Sequence, residues 1–285
     1  MQPTRVKFDR LLVGVDYSDA SSRAIDRAAR LPLEEDAQVT LVHVIHEDVG
    51  LSREAQSLAD DEAPLLLKRA EQRLLSFSRT RGGPVPRVTT HWCHGLPFVE
   101  LIREARSRAA EVVVVGRQDH RWFSDALIGS TAERVFRKSS NAVLLVSQAP
   151  RALYQRPLVA VDLSPTCVRA AELTLQAVGA EVTRVTVVHA KPPGQTDDDA
   201  RAAVLACLGA LGAEDRWEVI VRDGDPRRVI IDIAREESAD VIVLGSHGCT
   251  SAPQELVGRV AERVVRAAQC DVLVAHALGH HFEMP

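Results

Sequence analysis

Along the chain, short runs of β-branched and other apolar residues alternate with longer stretches whose apolar positions return at helical spacing. That alternation marks βαβ units and a parallel sheet. Five strands are predicted in the first half, near 10–16, 37–45, 86–93, 111–115 and 142–147. Five more are predicted in the second, near 157–162, 182–190, 216–222, 240–245 and 271–276, with helices filling the gaps. Pro97 and Pro226 each stand just inside a helix start, where the missing N–H costs nothing.

The pattern repeats at a fixed offset, and such self-similarity reveals architecture that local patterns miss. Leu11-Leu12-Val13-Gly14-Val15-Asp16-Tyr17-Ser18 matches Pro157-Leu158-Val159-Ala160-Val161-Asp162-Leu163-Ser164 at an offset of 146, and Val39 to Val44 matches Val185 to Ala190 at the same offset. From Gly95-Leu96-Pro97 onto Gly224-Asp225-Pro226 the offset falls to 129 and stays there through Val112–Gly116 onto Val241–Gly245 and Gly129 onto Gly258. The second half has therefore lost 17 residues between its second and third strands. Residues 1–149 are expected to form one domain and 157–277 the other, with 150–156, which starts at Pro150 and runs up to Pro157, as linker and 278–285 as a tail.

Composition narrows the classes of function. Across 285 residues the chain is 46% hydrophobic and 26% charged, the balance of a folded globular protein. A net charge of -4 leaves no cationic excess to release counterions from nucleic acid or to dock on an anionic membrane, so no nucleic-acid partner is expected. The apolar runs are far shorter than the ~18 residues needed to span a bilayer, and Met1 to Asp9 lacks a signal-peptide core, so no membrane insertion and a cytoplasmic location are expected. Cys93, Cys167, Cys207, Cys249 and Cys270 are odd in number and never spaced Cys-x-x-Cys, which fits reduced thiols.

Ligands of an open parallel sheet collect beyond the carboxyl ends of the strands, where strand order reverses. Strand one ends at Asp16 or Asp162. Strand four ends in Gly116-Arg117-Gln118-Asp119 or Gly245-Ser246-His247-Gly248, and a helix is expected to start at Gly129-Ser130-Thr131 or Gly258-Arg259-Val260. Glycines after a strand let backbone approach a ligand, and a helix N-terminus offers N–H groups and a positive dipole end suited to phosphate. Glycines in ordinary strand-to-helix turns give the same pattern.

With the Val-x-Val-Asp strand, the Val-His-Val/Ala strand, the Gly-x-Pro helix start and the Gly-x2-Gly-x9-Gly-Ser/Thr spacing, the chain resembles the universal stress protein family in its tandem form, from about residue 8 to 277. The resemblance implies an α/β fold of two tandem Rossmann-like domains, each a five-stranded parallel sheet of order 3-2-1-4-5, and a stress-response binding or regulatory module. It also implies an adenine-nucleotide ligand, ATP with Mg. Carried over, Asp16, Val44, Gly116, Gly129, Ser130 and Thr131 would make a first site, and Asp162, Ala190, Gly245, Gly248 and Gly258 a second. Asp119 stands where the first site's second glycine belongs, placing a carboxylate where phosphate oxygens would lie. The second site keeps all three glycines but puts Arg259 in place of the hydroxyl residue, either to clamp phosphate or to fill the pocket. The second is therefore favoured. The two halves are expected to pair about a pseudo-twofold axis through their fifth strands, with a homodimer as a further step.

No catalytic machinery is legible. There is no Gly-x4-Gly-Lys-Ser/Thr loop, and none of the four lysines follows a glycine-rich turn. Slow ATP hydrolysis, a nucleotide-free scaffold, and a small-ligand, metal or redox sensor stand as alternatives. His91-Trp92-Cys93-His94 alternates between two faces of its strand, with His91 and Cys93 on one and Trp92 and His94 on the other, so no face offers more than two ligands where zinc needs three or four. Asp197-Asp198-Asp199 reads as the acidic first turn of a helix. His43 and His189, at equivalent strand positions, read as core or interdomain packing.

Overall fold

The structure is a computed structural model and describes residues 7–46, 53–80, 83–117, 131–248 and 257–276. The chain divides into two compact units, one made of Phe8–Arg151, the other chiefly of the described residues of Ala152–His280.

In the first unit the order is β1 (Phe8–Gly14), α1 (Asp19–Ala28), β2 (Leu33–His46), α2 (Arg53–Thr80), β3 (Arg87–Gly95), α3 (Pro97–Ser107), β4 (Val112–Gly116), α4 (Thr131–Lys138) and β5 (Ala142–Val146). All four strand pairings are parallel and give the order β3-β2-β1-β4-β5. Helices α1 and α2 cover one face of the sheet and α3 and α4 the other. Strands covered on both faces have no use for polar alternation. Accordingly Val112–Val115 and all of β5 are buried. Strand β2 begins four residues earlier than its apolar pattern predicts, because Leu33 pairs with Phe8 ahead of an irregularity in the ladder that the charged run Glu34-Glu35-Asp36 conceals.

The second unit repeats the plan: β6 (Pro157–Ala160), α5 (Pro165–Val178), β7 (Val185–Lys191), α6 (Asp197–Leu208), β8 (Trp217–Asp223), α7 (Pro226–Glu236), β9 (Val241–Gly245), α8 (Arg259–Ala267) and β10 (Asp271–Ala275). Its parallel order is β8-β7-β6-β9-β10, the same 3-2-1-4-5 arrangement. The lost residues come out of the helix between the second and third strands, 28 residues long in α2 and 12 in α6. Thr196 caps α6 by accepting from the Asp199 N–H at 3.1 Å, so the three aspartates occupy its first turn. The stretch ahead of β6 is fastened to this unit. Tyr154, 1% exposed, donates its hydroxyl to Asp271 Oδ2 at 2.7 Å, and the Gln155 N–H donates to Asp240 at 2.7 Å.

Candidate functional site

In both units β1 or β6 lies between the second and fourth strands, so the switch point falls beside Asp16 and Asp162, and the chain after each aspartate is folded by its own polar residues. Asp16 Oδ1 accepts from the Ser18 N–H at 2.8 Å and the Ser18 hydroxyl at 2.5 Å; Asp162 Oδ1 accepts from the Ser164 N–H at 3.1 Å and its hydroxyl at 2.5 Å. Behind each aspartate stands a histidine of the neighbouring strand. His43 Nδ1 meets the Val15 carbonyl at 2.8 Å and His189 Nδ1 the Val161 carbonyl at 2.7 Å. A carbonyl only accepts, so Nδ1 carries the proton in both rings. These histidines hold the backbone that presents the aspartate, a more specific role than the packing expected from sequence.

The rest of the second site is assembled from β9 and α8. The Ser246 N–H donates to the Ala275 carbonyl at 2.8 Å, and the Gly258 N–H returns to the Ser246 carbonyl at 2.6 Å, which seats the start of α8 over the end of β9. Thr166, in the first turn of α5, donates to the His247 carbonyl at 2.5 Å, so the helix after Asp162 grips the loop carrying Gly248. A Cβ on Gly245 would fall 2.6 Å from Thr166 Oγ1, and one on Gly248 would fall 2.4 Å from Asp162 Oδ2. Gly248 is thus the place where loop backbone and the Asp162 carboxylate come together.

These residues surround a cavity of about 900 Å³ whose lining includes Asp162, His189, Ala190, Gly245, Gly248, Gly258 and Arg259. All five sequence-predicted positions of the second site therefore share one cavity. Pro192, Gln195 and Ile230 also line it and were not foreseen. The first two belong to a turn held by Lys191, whose ammonium donates to the Gln195 carbonyl at 2.9 Å and to Asp223 at 2.7 Å. The hydrogen bond to Asp223 raises the Lys191 pKa above its ordinary value.

The equivalent cavity of the first unit is about 270 Å³, lined among others by Asp16, Val44, Gly116 and Thr131. Gly129, Ser130 and Asp119 lie outside the described residues. Here a Cβ on Gly116 would fall 2.2 Å from the backbone carbonyl of Ala20, so helix packing alone already requires glycine. The Arg117 carbonyl accepts from Arg23 at 3.0 Å, and Arg117 itself is buried.

The family model described as the universal stress protein family matches twice, over residues 7–147 and 153–276. The chain belongs to the universal stress protein family. It carries two copies of the family's domain. A universal stress protein of Mycobacterium tuberculosis (strain H37Rv) is 25% identical over 308 aligned positions, covering 93% of this chain and 94% of that protein. Universal stress protein YxiE of Bacillus subtilis (strain 168) is 25% identical over 146 positions, 49% of this chain and 99% of its own length. Among solved structures, a universal stress protein from Archaeoglobus fulgidus superposes with a TM-score of 0.77 at 21% identity, over 96% of this chain and 98% of that one, a likeness of fold.

Other sequence candidates meet carboxylates of neighbouring helices. His91 faces Glu104 of α3 at 3.5 Å, and His94 faces Asp60 of α2 at 2.8 Å, on opposite sides of β3. Among the described residues no three His, Cys, Asp or Glu side chains are grouped to hold a metal ion. No helix among them is long and apolar enough to cross a membrane.

Proposed function

We propose that this universal stress protein is a stress-response binding and regulatory module whose second unit takes an adenine nucleotide, ATP with Mg. The observation that carries the reading is the cavity of about 900 Å³ at the switch point, within the ~300–1,000 Å³ usual for ligand sites and lined by every predicted residue of that unit. The first unit's cavity, about 270 Å³, falls just below that range.

The donors suit the ligand. Near Gly258 the first turn of α8 supplies N–H groups that a helix leaves without intrahelical partners, and its dipole favours phosphate. Arg259 is exposed at the rim of a cavity that remains large beside it, which favours the clamp over the plug. Asp162, a carboxylate held by Ser164, is placed to accept from ligand hydroxyl or amino groups. Gly248, with no side chain, leaves the carboxylate room. Mg would arrive on the phosphates.

Calorimetric titration with ATP and Mg tests this. The expected result is one strong site per chain, weakened about tenfold or more by Gly248→Asp, which brings a second carboxylate against Asp162, and by Arg259→Ser, since a charge-assisted contact to phosphate contributes about 1.5–3 kcal/mol. Absence of binding to the wild-type chain overturns the proposal in favour of a nucleotide-free scaffold. Conversion of bound ATP to ADP would identify a slow ATPase.

A further inference from the structure

Two thiols in the second unit meet outside the ligand cavity. Cys167 lies in the first turn of α5 and Cys207 in the last turn of α6, and their sulfur atoms are 3.9 Å apart. A disulfide needs about 2.05 Å, so less than 2 Å of approach separates this contact from a bond. The pair belongs to the second half alone. At the offset of 146, Cys167 corresponds to Ser21, and Cys207 sits in the helix that is short where α2 is long.

The two sulfurs differ in their surroundings. Cys167 is 1% exposed, whereas Cys207 is half-buried. Burial first, then the neighbouring Cys207 and Asp162, pushes the Cys167 thiol up to about 12. It is therefore protonated at neutral pH and shielded from solvent, and Cys207 is the sulfur a dissolved oxidant reaches. The supports differ as well. The first turn of α5 is fixed by Thr166 to the His247 carbonyl and by the Cys167 N–H to the Ser164 carbonyl. The end of α6 instead runs into two short 3₁₀ turns, Gly209–Leu211 and Glu214–Arg216, whose residues include no buried side chain. The approach needed for bonding therefore falls to α6 and the segment after it.

We propose that Cys167 and Cys207 are a site of reversible oxidative modification, closing to an intramolecular disulfide on exposure to peroxide and pinning the end of α6 to α5. In the first step the Cys207 sulfur attacks one oxygen of hydrogen peroxide, the O–O bond breaks, and Cys207 sulfenic acid and one water form. In the second, the Cys167 sulfur attacks the sulfenic sulfur, the S–O bond breaks, and the Cys167 proton leaves with the hydroxyl as a second water. Two electrons pass from the thiol pair to the peroxide. A low-molecular-weight dithiol returns the pair to the reduced state. None of this depends on nucleotide binding.

The test uses the full chain treated with a small excess of hydrogen peroxide and digested without reductant. The expected finding is a linked pair of peptides containing Cys167 and Cys207, two hydrogens lighter than the reduced pair and released by dithiothreitol, together with slower thermolysin cleavage across residues 209–216. Cys207→Ser, at a half-buried position, should abolish the link. Cys167→Ala should leave a sulfenic acid on Cys207 that dimedone traps. Oxidation of Cys207 to sulfinic acid without a link in the wild-type chain, a link that joins separate chains, or no reaction at either sulfur would each overturn the proposal.

Discussion

Gly116 offers a direct measure of how tightly the first unit is packed at its switch point. In Gly116→Ala the new Cβ falls 2.2 Å from both the carbonyl carbon and oxygen of Ala20 and 2.8 Å from the Ala20 Cβ. Carbon atoms rest at about 3.5–4.0 Å, so α1 must retreat by roughly 1 Å or more. It is poorly placed to do so. Its start is bound by Ser18, which accepts from the Ser21 N–H at 3.1 Å, and by Ser21, whose hydroxyl accepts from the Asp16 N–H at 2.9 Å. Overpacking against backbone costs typically 1–3 kcal/mol, and the closeness of this contact puts the expected loss near the top, about 3 kcal/mol. With a urea slope of about 2 kcal/mol/M the midpoint should fall by about 1.5 M with the slope unchanged. Gly248→Ala is the control, because its Cβ meets a carboxylate tip at 2.4 Å with the next atom at 3.6 Å. Rotation of Asp162 relieves that contact, so the expected stability loss is under about 1 kcal/mol. Equal midpoints for wild type and Gly116→Ala would refute the packing argument.

Tyr154→Phe removes the hydroxyl donor of buried Asp271 and should cost about 1–3 kcal/mol, read as a lower unfolding midpoint of the second unit; no change would show the bond contributes nothing. The Cys167 thiol, raised from 9.0 to about 12, keeps its proton more tightly folded than unfolded. The stability this gives is present below the ordinary thiol pKa and is lost as pH rises from about 9 towards about 12. Iodoacetamide labelling of reduced native protein should accordingly leave Cys167 slow up to pH 10, and rapid labelling at pH 8.5 would contradict the burial argument.

Much of the fold was legible because each half states it separately. The apolar runs of β4 and β9, the prolines at α3 and α7, and the constant offsets place strands and helices without any tertiary information. The early start of β2 was hidden, since its acidic residues imitate a turn until the pairing of Leu33 with Phe8 is seen. At the site, the residues gathered about the cavity were named by position, whereas the reason for each glycine was not. Gly116 and Gly245 make room for α1 and for Thr166, a demand that motif spacing cannot distinguish from ligand approach. The grip of Thr166 on His247 joins residues 81 positions apart, and no local pattern announces it. The histidine bonds to Val15 and Val161 had a visible signal, the same residue at the same register in both halves.

The anchoring of Tyr154 bears on where the second half can be cut free. Its first strand starts at Pro157, and a fragment begun there would retain every sheet residue yet lose the aromatic ring that fills the core next to Asp271. It would also lose the two backbone donors, from Gln155 and Arg156, that hold Asp240 at the start of β9. A fragment that keeps these contacts must therefore begin no later than Tyr154, three residues ahead of its sheet, and Tyr154 belongs with the second unit rather than with a tether.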